Sequence, residues 1–333
     1  MAFVIDGSQW AFDGLSEFEV TRALETILER LATAAERGER VSVGEDLQTR
    51  HVLAELSIWS LWSADSPVKL SFELRQELSA HLMRASCYLD EQEWPDGLVD
   101  PEVSIGGSAS ACNVDVAWAH HSVLNGRAIA CIGWKRKGKL QTRSSAGLVE
   151  VHFVADEPSH VAFFRHAIDI ERDTEESLQR FAPHAFPDLF FLDGVWRGLS
   201  HFEGGYQEVR QELRRTLAVL NDHGQWIFSA PPPALTEDDR HPGDPSLSPD
   251  RTLIKKRFKS RGLDVTPENS DVHDHKRCRT ARERAIGERT LYLEWHVKLS
   301  PHINRVHIHP PCSESDNRVI IGIFHRHLPL PGD

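Results

Sequence analysis

The chain has 333 residues, of which 40% are hydrophobic and 26% are charged, values typical of a globular protein and not of a disordered or fibrous one. Its length predicts two domains. No stretch reaches the 18 apolar residues of a membrane helix, and the N-terminal segment lacks the basic and apolar regions of a signal peptide. The five scattered cysteines show no paired spacing, so we expect a cytoplasmic protein without membrane contact.

The charge is divided unevenly along the chain. Its net value of −12 argues against a plain nucleic-acid binder. Residues 251–333, however, carry 16 Lys and Arg against 10 Asp and Glu, whereas the remainder carries 22 against 40. A basic segment joined to an acidic one indicates either nucleic-acid interaction or a basic face that docks on the acidic part.

The N-terminal part begins with helical patterns. Residues 15–38 predict an amphipathic helix with Ser16 as its N-cap and Glu19 completing a capping box. Apolar residues at helical spacing predict two further helices over 47–63 and 70–89. Trp59 and Trp62 would share one face of the first of these, an arrangement typical of core packing.

Strand signals follow from about residue 104. The dipeptide Asn125-Gly126 between alternating residues predicts a β-hairpin, with His120 and His121 facing solvent beside its turn. Another strand is expected over 148–156. The order then predicted is an interrupted helix, a strand or buried turn near 186–196, and a strong helix over 206–224.

A Pro- and Asp-rich stretch, 230–250, indicates a linker. We therefore expect an α+β protein of three parts. An acidic, mostly helical body with a β-hairpin region spans 1–229, the linker follows, and a basic module of antiparallel sheet packed on helices spans 251–333.

The basic module contains three predicted strands, at about 290–299, 304–309 and 318–325. Alternation divides the side chains of the first two strands between an apolar face and a polar face. If these strands pair as an antiparallel hairpin, the apolar face fixes the register. The polar face then brings together Tyr292, Glu294, His296, Lys298, Arg305, His307 and His309.

The third strand is almost wholly apolar, as a buried strand would be, and Gly322 in its middle indicates a bulge or a close approach of another backbone. His325 and His327 alternate near its end and should face one side. Two Lys- and Arg-rich segments, 253–264 and 276–289, precede the strands. They form either a solvated stripe or a groove over the polar sheet face.

The histidine-rich face has three interpretations. A metal site would use His307 with His309, or His325 with His327, since imidazole is a common ligand of zinc, iron and copper. Arg305 and Lys298 on the same face oppose a cation, although Glu294 is an available carboxylate. The sequence His273-Asp274-His275 near Cys278 is a second metal candidate.

Metal-free RNA cleavage is the second interpretation. It needs a base for the 2′-hydroxyl, an acid for the leaving 5′-oxygen and fixed cations for the phosphate. Histidine suits the proton transfers near neutral pH, and Lys and Arg bind phosphate. The third interpretation is a non-catalytic module that binds nucleic acid or a partner subunit.

The segments YLEWHVKL, NRVHIH and RVIIGIFHRHLP, preceded by a basic helical stretch, resemble the C-terminal half of RelE-like toxins, small ribonucleases of toxin–antitoxin systems. The similarity covers about residues 250–330. It implies a compact α/β fold, mRNA cleavage, and a nucleic-acid site that includes Lys298, Arg305, His307 and either His325 or His327. The chain is much longer than such toxins, which suggests a larger toxin or phage-defence system whose acidic body senses, inhibits or docks.

Together these features predict an endoribonuclease without a cofactor or a metal, acting on RNA, with DNA as the alternative substrate. The predicted catalytic residues are His296, Lys298, Arg305 and His307, where either histidine serves as general acid or base. The predicted nucleic-acid-binding residues are Lys255, Lys256, Arg257, Arg277, Arg279 and Arg282. The acidic body is expected to shield the basic module or to contact other subunits.

Overall fold

The computed structural model describes residues 2–63, 65–88, 94–230, 249–300 and 303–332. It combines helices with sheets, which confirms the α+β class. The chain divides between Arg172 and Asp173 into two compact units, here called unit 1 (1–172) and unit 2 (173–333). Within the described ranges, no helix has both the length and the apolar composition needed to cross a membrane.

Unit 1 contains ten strands and four helices among its described residues. The strands are β1 (Ala2–Ile5), β2 (Arg40–Val43), β3 (His51–Leu53), β4 (Leu56–Ser57), β5 (Ser86–Cys87), β6 (Glu102–Ile105), β7 (Ala111–Cys112), β8 (Ile129–Ile132), β9 (Gly138–Ser144) and β10 (Gly147–Val154). The helices are α1 (Glu17–Glu36), α2 (Phe72–Arg84), α3 (Val114–Leu124) and α4 (Glu157–Ile170).

Eight of these strands form one sheet in the order β5-β2-β1-β8-β10-β9-β6-β7, in which β5, β2, β1, β8 and β10 are parallel neighbours. From β1 the chain moves to β2 and β5 on one side, then returns to β8 and β10 on the other. The direction of strand order therefore reverses between β1 and β8. The buried strands β1 and β8 carry continuous apolar residues, as parallel strands covered on both faces do.

The first predicted helix is confirmed. Ser16 caps α1, and Ser16 and Glu19 form the capping box in both directions. Of the next two predictions, 70–89 contains α2, but the helix over 47–63 is wrong. That segment forms the short β3–β4 hairpin with flanking 3₁₀ turns. Ala54 lies at φ +50° in the hairpin turn, a conformation that interrupts a helix.

The predicted hairpin at Asn125-Gly126 is also wrong, because these residues end α3. Asn113 caps the start of this helix, Asn125 is its C-cap, and Gly126 adopts φ +74° after it. Consequently His120 and His121, expected in solvent, are 0% and 1% exposed. The helix is buried on nearly all sides, so the sequence shows no polar stripe that would reveal its helical period.

Unit 2 contains seven strands and five helices among its described residues. The strands are β11 (Leu189–Phe191), β12 (Val265–Pro267), β13 (Glu283–Ile286), β14 (Arg289–Tyr292), β15 (Trp295–Ser300), β16 (Ile303–His309) and β17 (Val319–His325). The helices are α5 (Glu175–Ala185), α6 (Gly205–Phe228), α7 (Arg251–Ser260), α8 (Ser270–Asp274) and α9 (Lys276–Ala281), with a 3₁₀ helix over Val195–His201.

The main sheet of unit 2 has the order β11-β17-β16-β15-β12 and is antiparallel except for the β11–β17 pair. The segment 173–229 belongs to this unit because β11 pairs with β17 and α6 packs on β15 and β17. The unit boundary therefore lies well before the predicted linker at 230–250. Most of that linker, residues 231–248, falls outside the described residues.

Two further differences concern the basic segment before the sheet. The predicted helical stretch 276–289 keeps its helix only to Ala281, after which β13 and β14 form a hairpin that turns at Gly287, with φ +56°. The predicted strand 290–299 is divided between β14 and β15. The predicted irregularity at Gly322 is confirmed, because the β16–β17 register shifts between His307 and Ile308, opposite this glycine.

Candidate nucleic-acid interface and buried histidine cluster

The β15–β16 pair has the register that alternation predicts. Val297 lies opposite Val306 on the apolar face, which places His296 opposite His307 and Lys298 opposite Arg305. The four side chains predicted to be catalytic therefore share one face of the sheet. Their surroundings differ, however, because the histidine pair is buried and the Lys298–Arg305 pair is partly exposed.

Two cationic side chains and a histidine form a row across three strands on the partly exposed part of this face. Arg305 on β16 lies opposite both Lys298 on β15 and His325 on β17. We call Lys298, Arg305 and His325 the cationic row. Like charges at opposed positions destabilise a sheet unless an anion compensates them. Lys298 Nζ has one such partner, the Asp264 carboxylate at 3.4 Å.

Arg305 is the member of the row that carries a fixed charge without an ion pair among the described residues. Among the described residues no carboxylate lies within 4.0 Å of its guanidinium, and its buried Nε lacks a hydrogen-bond partner. Burial lowers the pKa of Arg305, which indicates that its charge is costly where it stands. An anionic ligand such as a phosphate would offset that cost.

A groove of about 660 Å³ borders the row at His325, and we call it the histidine groove. Its charged and histidine residues are Asp193, Arg197, His201, Arg284 and His325. The rings of His201 and His325 lie 5.1 Å apart between centroids. His325 Nδ1 accepts the backbone N–H of His327 at 3.1 Å, so in the neutral ring Nε2 carries the proton. Burial and the neighbouring His201 lower the pKa of His325.

A second groove, of about 740 Å³, is bordered by α7 and β12. Lys255, Lys256 and Lys259 line it from the helix, and Val265 and Thr266 form its floor. All three lysines are exposed. Thr266 Oγ1 lies 2.9 Å from His296 Nε2, so this lysine groove ends beside the buried histidine pair.

The six predicted nucleic-acid-binding residues divide into two groups. Lys255, Lys256 and Arg277 are exposed, and Arg279 is half-buried with its Nε 3.4 Å from the Glu283 carboxylate. Arg257 and Arg282 form the second group, and the prediction that they lie on a nucleic-acid-binding surface is wrong.

Both of these arginines are buried and bind carbonyl oxygens of the chain. Arg257 Nη1 donates to the carbonyls of Trp226, Ile227 and Ser229 at the end of α6. Arg282 Nη1 donates to those of Cys278 and Pro329. Such bonds satisfy terminal helix carbonyls and join remote segments, so these two guanidinium groups stabilise the fold.

Arg282 also belongs to a group that we call the buried cluster, formed by Glu268, Arg282, His296 and His307. Glu268 Oε1 lies 2.8 Å from Arg282 Nε, 3.2 Å from His296 Nδ1 and 3.8 Å from His307 Nδ1. All four residues are less than 9% exposed. Burial raises the pKa of Glu268, but contacts with His296 and Arg282 outweigh it and hold the value at about 2.

His307 is the most deeply placed member, with 0% exposure. Burial, with the neighbouring His296, lowers its pKa well below the ordinary value, so the ring is neutral. A general acid or base must come within hydrogen-bond distance of the proton that it transfers. The fully covered His307 therefore does not meet a polymeric substrate in this conformation, and His296 is only 6% exposed.

The other predicted metal candidates have local partners. His309 Nδ1 contacts the Pro310 carbonyl at 2.7 Å, and His275 Nδ1 contacts Cys278 Sγ at 3.2 Å. Within the described ranges, the one group of three residues with metal-ligand spacing is Glu268, His296 and His307. Sequence reasoning missed Glu268 because it follows β12, remote in sequence from the two histidines and without a motif around it.

Unit 1 has its own buried polar group, here called the aspartate cluster, where the strand order reverses between β1 and β8. Asp6 follows β1 and accepts hydrogen bonds from Ser8, Gln9, Asn113 and Arg136. Open α/β sheets generally bind ligands at such a reversal, so this edge is where a ligand of unit 1 would be expected.

Asp115 occupies the same edge. It accepts the Gly7 N–H and the Tyr88 hydroxyl, both at 2.8 Å. Burial is the main cause that raises its pKa to about 6. The cluster was absent from the sequence predictions, because the segment that carries Asn113 and Asp115 was interpreted as a hairpin.

No protein family matches the chain, and comparisons with curated proteins and with solved structures give no match either.

Proposed function

We propose that this protein binds nucleic acid along the cationic row of unit 2 and cleaves RNA there without a metal. The observation that carries the proposal is the strand register that aligns Lys298, Arg305 and His325 on one partly exposed face. Lys298 and Arg305 share one carboxylate within 4.0 Å among the described residues, so the row retains charge for a phosphate.

In this proposal Lys298 and Arg305 hold the phosphate, and the proton transfers belong to His201 and His325. These two are accessible in the histidine groove, whereas His296 and His307, the histidines predicted from sequence, are buried. One histidine takes the 2′-hydroxyl proton while the 2′-oxygen attacks phosphorus. The P–O5′ bond breaks, and the other histidine protonates the 5′-oxygen.

The lysine groove supplies a longer approach for the polymer. Lys255, Lys256 and Lys259 add exposed positive charge on α7, and none of them has a carboxylate within 4.0 Å among the described residues. Single-stranded nucleic acid tracks such basic surfaces with strong salt dependence. Toxin or defence activity would follow from RNA cleavage in the cell, and we propose it as the biological setting.

The experiment separates binding from cleavage in the full-length chain. Lys298→Ala/Arg305→Ala is expected to weaken RNA binding about 10- to 100-fold and to lower the salt slope by about 1 to 2. His201→Ala/His325→Ala should retain most binding and lose cleavage. Arg22→Ala/Arg84→Ala, which removes two exposed charges of unit 1, is the charge-matched control.

Each result assigns a function. RNA fragmentation and growth arrest in bacteria that the His201/His325 variant abolishes would establish the nuclease. Binding without fragmentation would select a non-catalytic nucleic-acid module. Equal losses for the Lys298/Arg305 variant and the unit 1 control would rule out the cationic row as the interface.

A further inference from the structure

We infer that Glu268, His296 and His307 form a buried zinc site in unit 2, separate from the cationic row. The inference does not depend on RNA cleavage. The three residues come from the end of β12, from β15 and from β16, so a bound ion would join three neighbouring strands of the main sheet.

The spacing of the ligand atoms fits a metal of this kind. Glu268 Oε1 lies 3.2 Å from His296 Nδ1 and 3.8 Å from His307 Nδ1, and the three ligand atoms lie within 4.8 Å of one another. Zinc bonds of about 2.0–2.2 Å in a tetrahedral centre place ligand atoms roughly 3.3–3.6 Å apart. The first separation is therefore already close to that of a zinc centre, and small side-chain rotations would adjust the rest.

Three buried ring nitrogens of the two histidines have no hydrogen-bond partner among the described residues. Both ring nitrogens of His307 are buried without a hydrogen-bond partner among the described residues, and so is His296 Nδ1. The His307 contact with Glu268 Oε1, at 3.8 Å, is too long for a hydrogen bond, and the His296 contact at 3.2 Å does not meet the geometry of one. Buried polar atoms normally have partners, and an unsatisfied one costs about 1–3 kcal/mol. A metal ion would use a lone pair on each imidazole.

Arg282 is the main charge that opposes a cation. Its Nη1 is held by the Cys278 and Pro329 carbonyls, while its Nε lies 2.8 Å from Glu268 Oε1. Metal-binding carboxylates commonly have such an outer partner. The charges of Glu268 and Arg282 cancel, so their pair adds no net charge beside the two imidazole ligands. Imidazole ligands without a net charge hold Zn²⁺ in known enzymes.

The His₂Glu set is the chemistry that zinc accepts, since imidazole nitrogen and carboxylate oxygen are both among its usual ligands. With all three ligand residues less than 9% exposed, the ion would have little contact with a polymeric substrate. Its effect would therefore be stabilisation of unit 2 through binding to the folded state alone.

The test uses the full-length protein, freed of metal with a chelator and titrated with Zn²⁺ alone. We expect one tightly bound equivalent per chain and a higher thermal unfolding midpoint. Co²⁺ in place of zinc should give the intense visible absorption of a four-coordinate ion. Glu268→Gln and His307→Gln should each weaken zinc binding by at least about 10-fold, and the control His309→Gln, two residues along β16, should leave it unchanged.

Several outcomes would overturn the site. The first is a titration in which no Zn²⁺ binds tightly, and the second is a six-coordinate Co²⁺ spectrum. The third is an unchanged zinc affinity of folded Glu268→Gln and His307→Gln variants. If both variants fail to fold, the zinc X-ray absorption spectrum of the wild type decides. Two imidazoles with oxygen support the site, and sulfur ligation from any of the five cysteines excludes it.

Discussion

The two units each bury a cluster of charged and polar side chains, but they satisfy those groups differently. In unit 1 the oxygens of Asp6 and Asp115 accept hydrogen bonds from several aligned donors. In unit 2 the buried cluster has close contacts, yet His307 and the Nδ1 atom of His296 lack aligned partners among the described residues. A polar network that is already satisfied holds its strands in place, whereas unused lone pairs are free to bind a ligand, as proposed above for zinc.

The largest expected effect comes from breaking the unit 2 cluster. Arg282→Met would leave the Glu268 carboxylate buried without its cation. Loss of one partner of a buried pair costs about 3–5 kcal/mol. We expect the free energy needed to open strands β15 and β16 to fall by that amount. Native-state hydrogen exchange in metal-free buffer measures this free energy.

Two variants control this measurement. Arg277→Met changes an exposed arginine on the neighbouring helix α9 and should shift the same opening free energy by less than about 0.5 kcal/mol. The double variant Glu268→Leu/Arg282→Met removes both charges and should recover part of the loss. Equal effects of Arg282→Met and Arg277→Met would show that the buried pair contributes nothing to stability.

A smaller effect, dependent on pH, is expected in unit 1. The pKa of Asp115 is about 6 in the folded protein against an ordinary 3.8, so the folded state binds the proton more tightly. Its contribution favours folding below about pH 4 and is lost as the pH rises through 6. The loss is at most about 3 kcal/mol.

Asp115→Asn should therefore raise the free energy of unfolding at pH 7 relative to the wild type, with a difference that disappears near pH 4. The measurement is urea denaturation over pH 4 to 8, with the exposed Asp65→Asn as control. A variant less stable than the wild type at every pH would mean that the Gly7 and Tyr88 hydrogen bonds need the carboxylate.

The smallest effect concerns one donor of the aspartate cluster. Asn113 caps α3 through its Oδ1, and its Nδ2 donates to Asp6 and Ser8. Asn113→Ala should cost about 1–2 kcal/mol of unfolding free energy. Asn113→Ser keeps a capping oxygen and should lose less. If both variants lose the same amount, the cap contributes nothing and the amide donor accounts for the whole effect.

Local patterns predicted part of this fold correctly. The period-two alternation around Val297 and Val306 gave the β15–β16 register, and Ser16 with Glu19 gave the start of α1. These features depend on neighbours in sequence or on one apolar face. The helix α3 was missed because burial on nearly all sides hides its period, and its Asn-Gly end resembles a hairpin turn.

The site could be predicted only in outline. The sequence placed His296, Lys298, Arg305 and His307 together, but residue type alone suggested that they, like Arg282, face solvent. The burial of His296, His307 and Arg282 depends on the elements that cover the sheet face, which no local pattern encodes. Glu268 and His201 reach the same region from segments remote in sequence, so their role follows from tertiary structure alone.

The bulge at Gly322 determines which side chain of β17 joins the cationic row. At the bulge, two steps along β17 from Ile321 to Ile323 oppose one step along β16 from Ile308 to His307. The extra residue reverses the alternation, so Ile321 pairs on the apolar face while His325 pairs with Arg305. Without the bulge, Gly322 would pair with His307, so Phe324 would lie opposite Arg305 and His325 would turn to the apolar face. One unpaired residue thus decides which face of the strand meets Arg305, without altering any proposed binding residue.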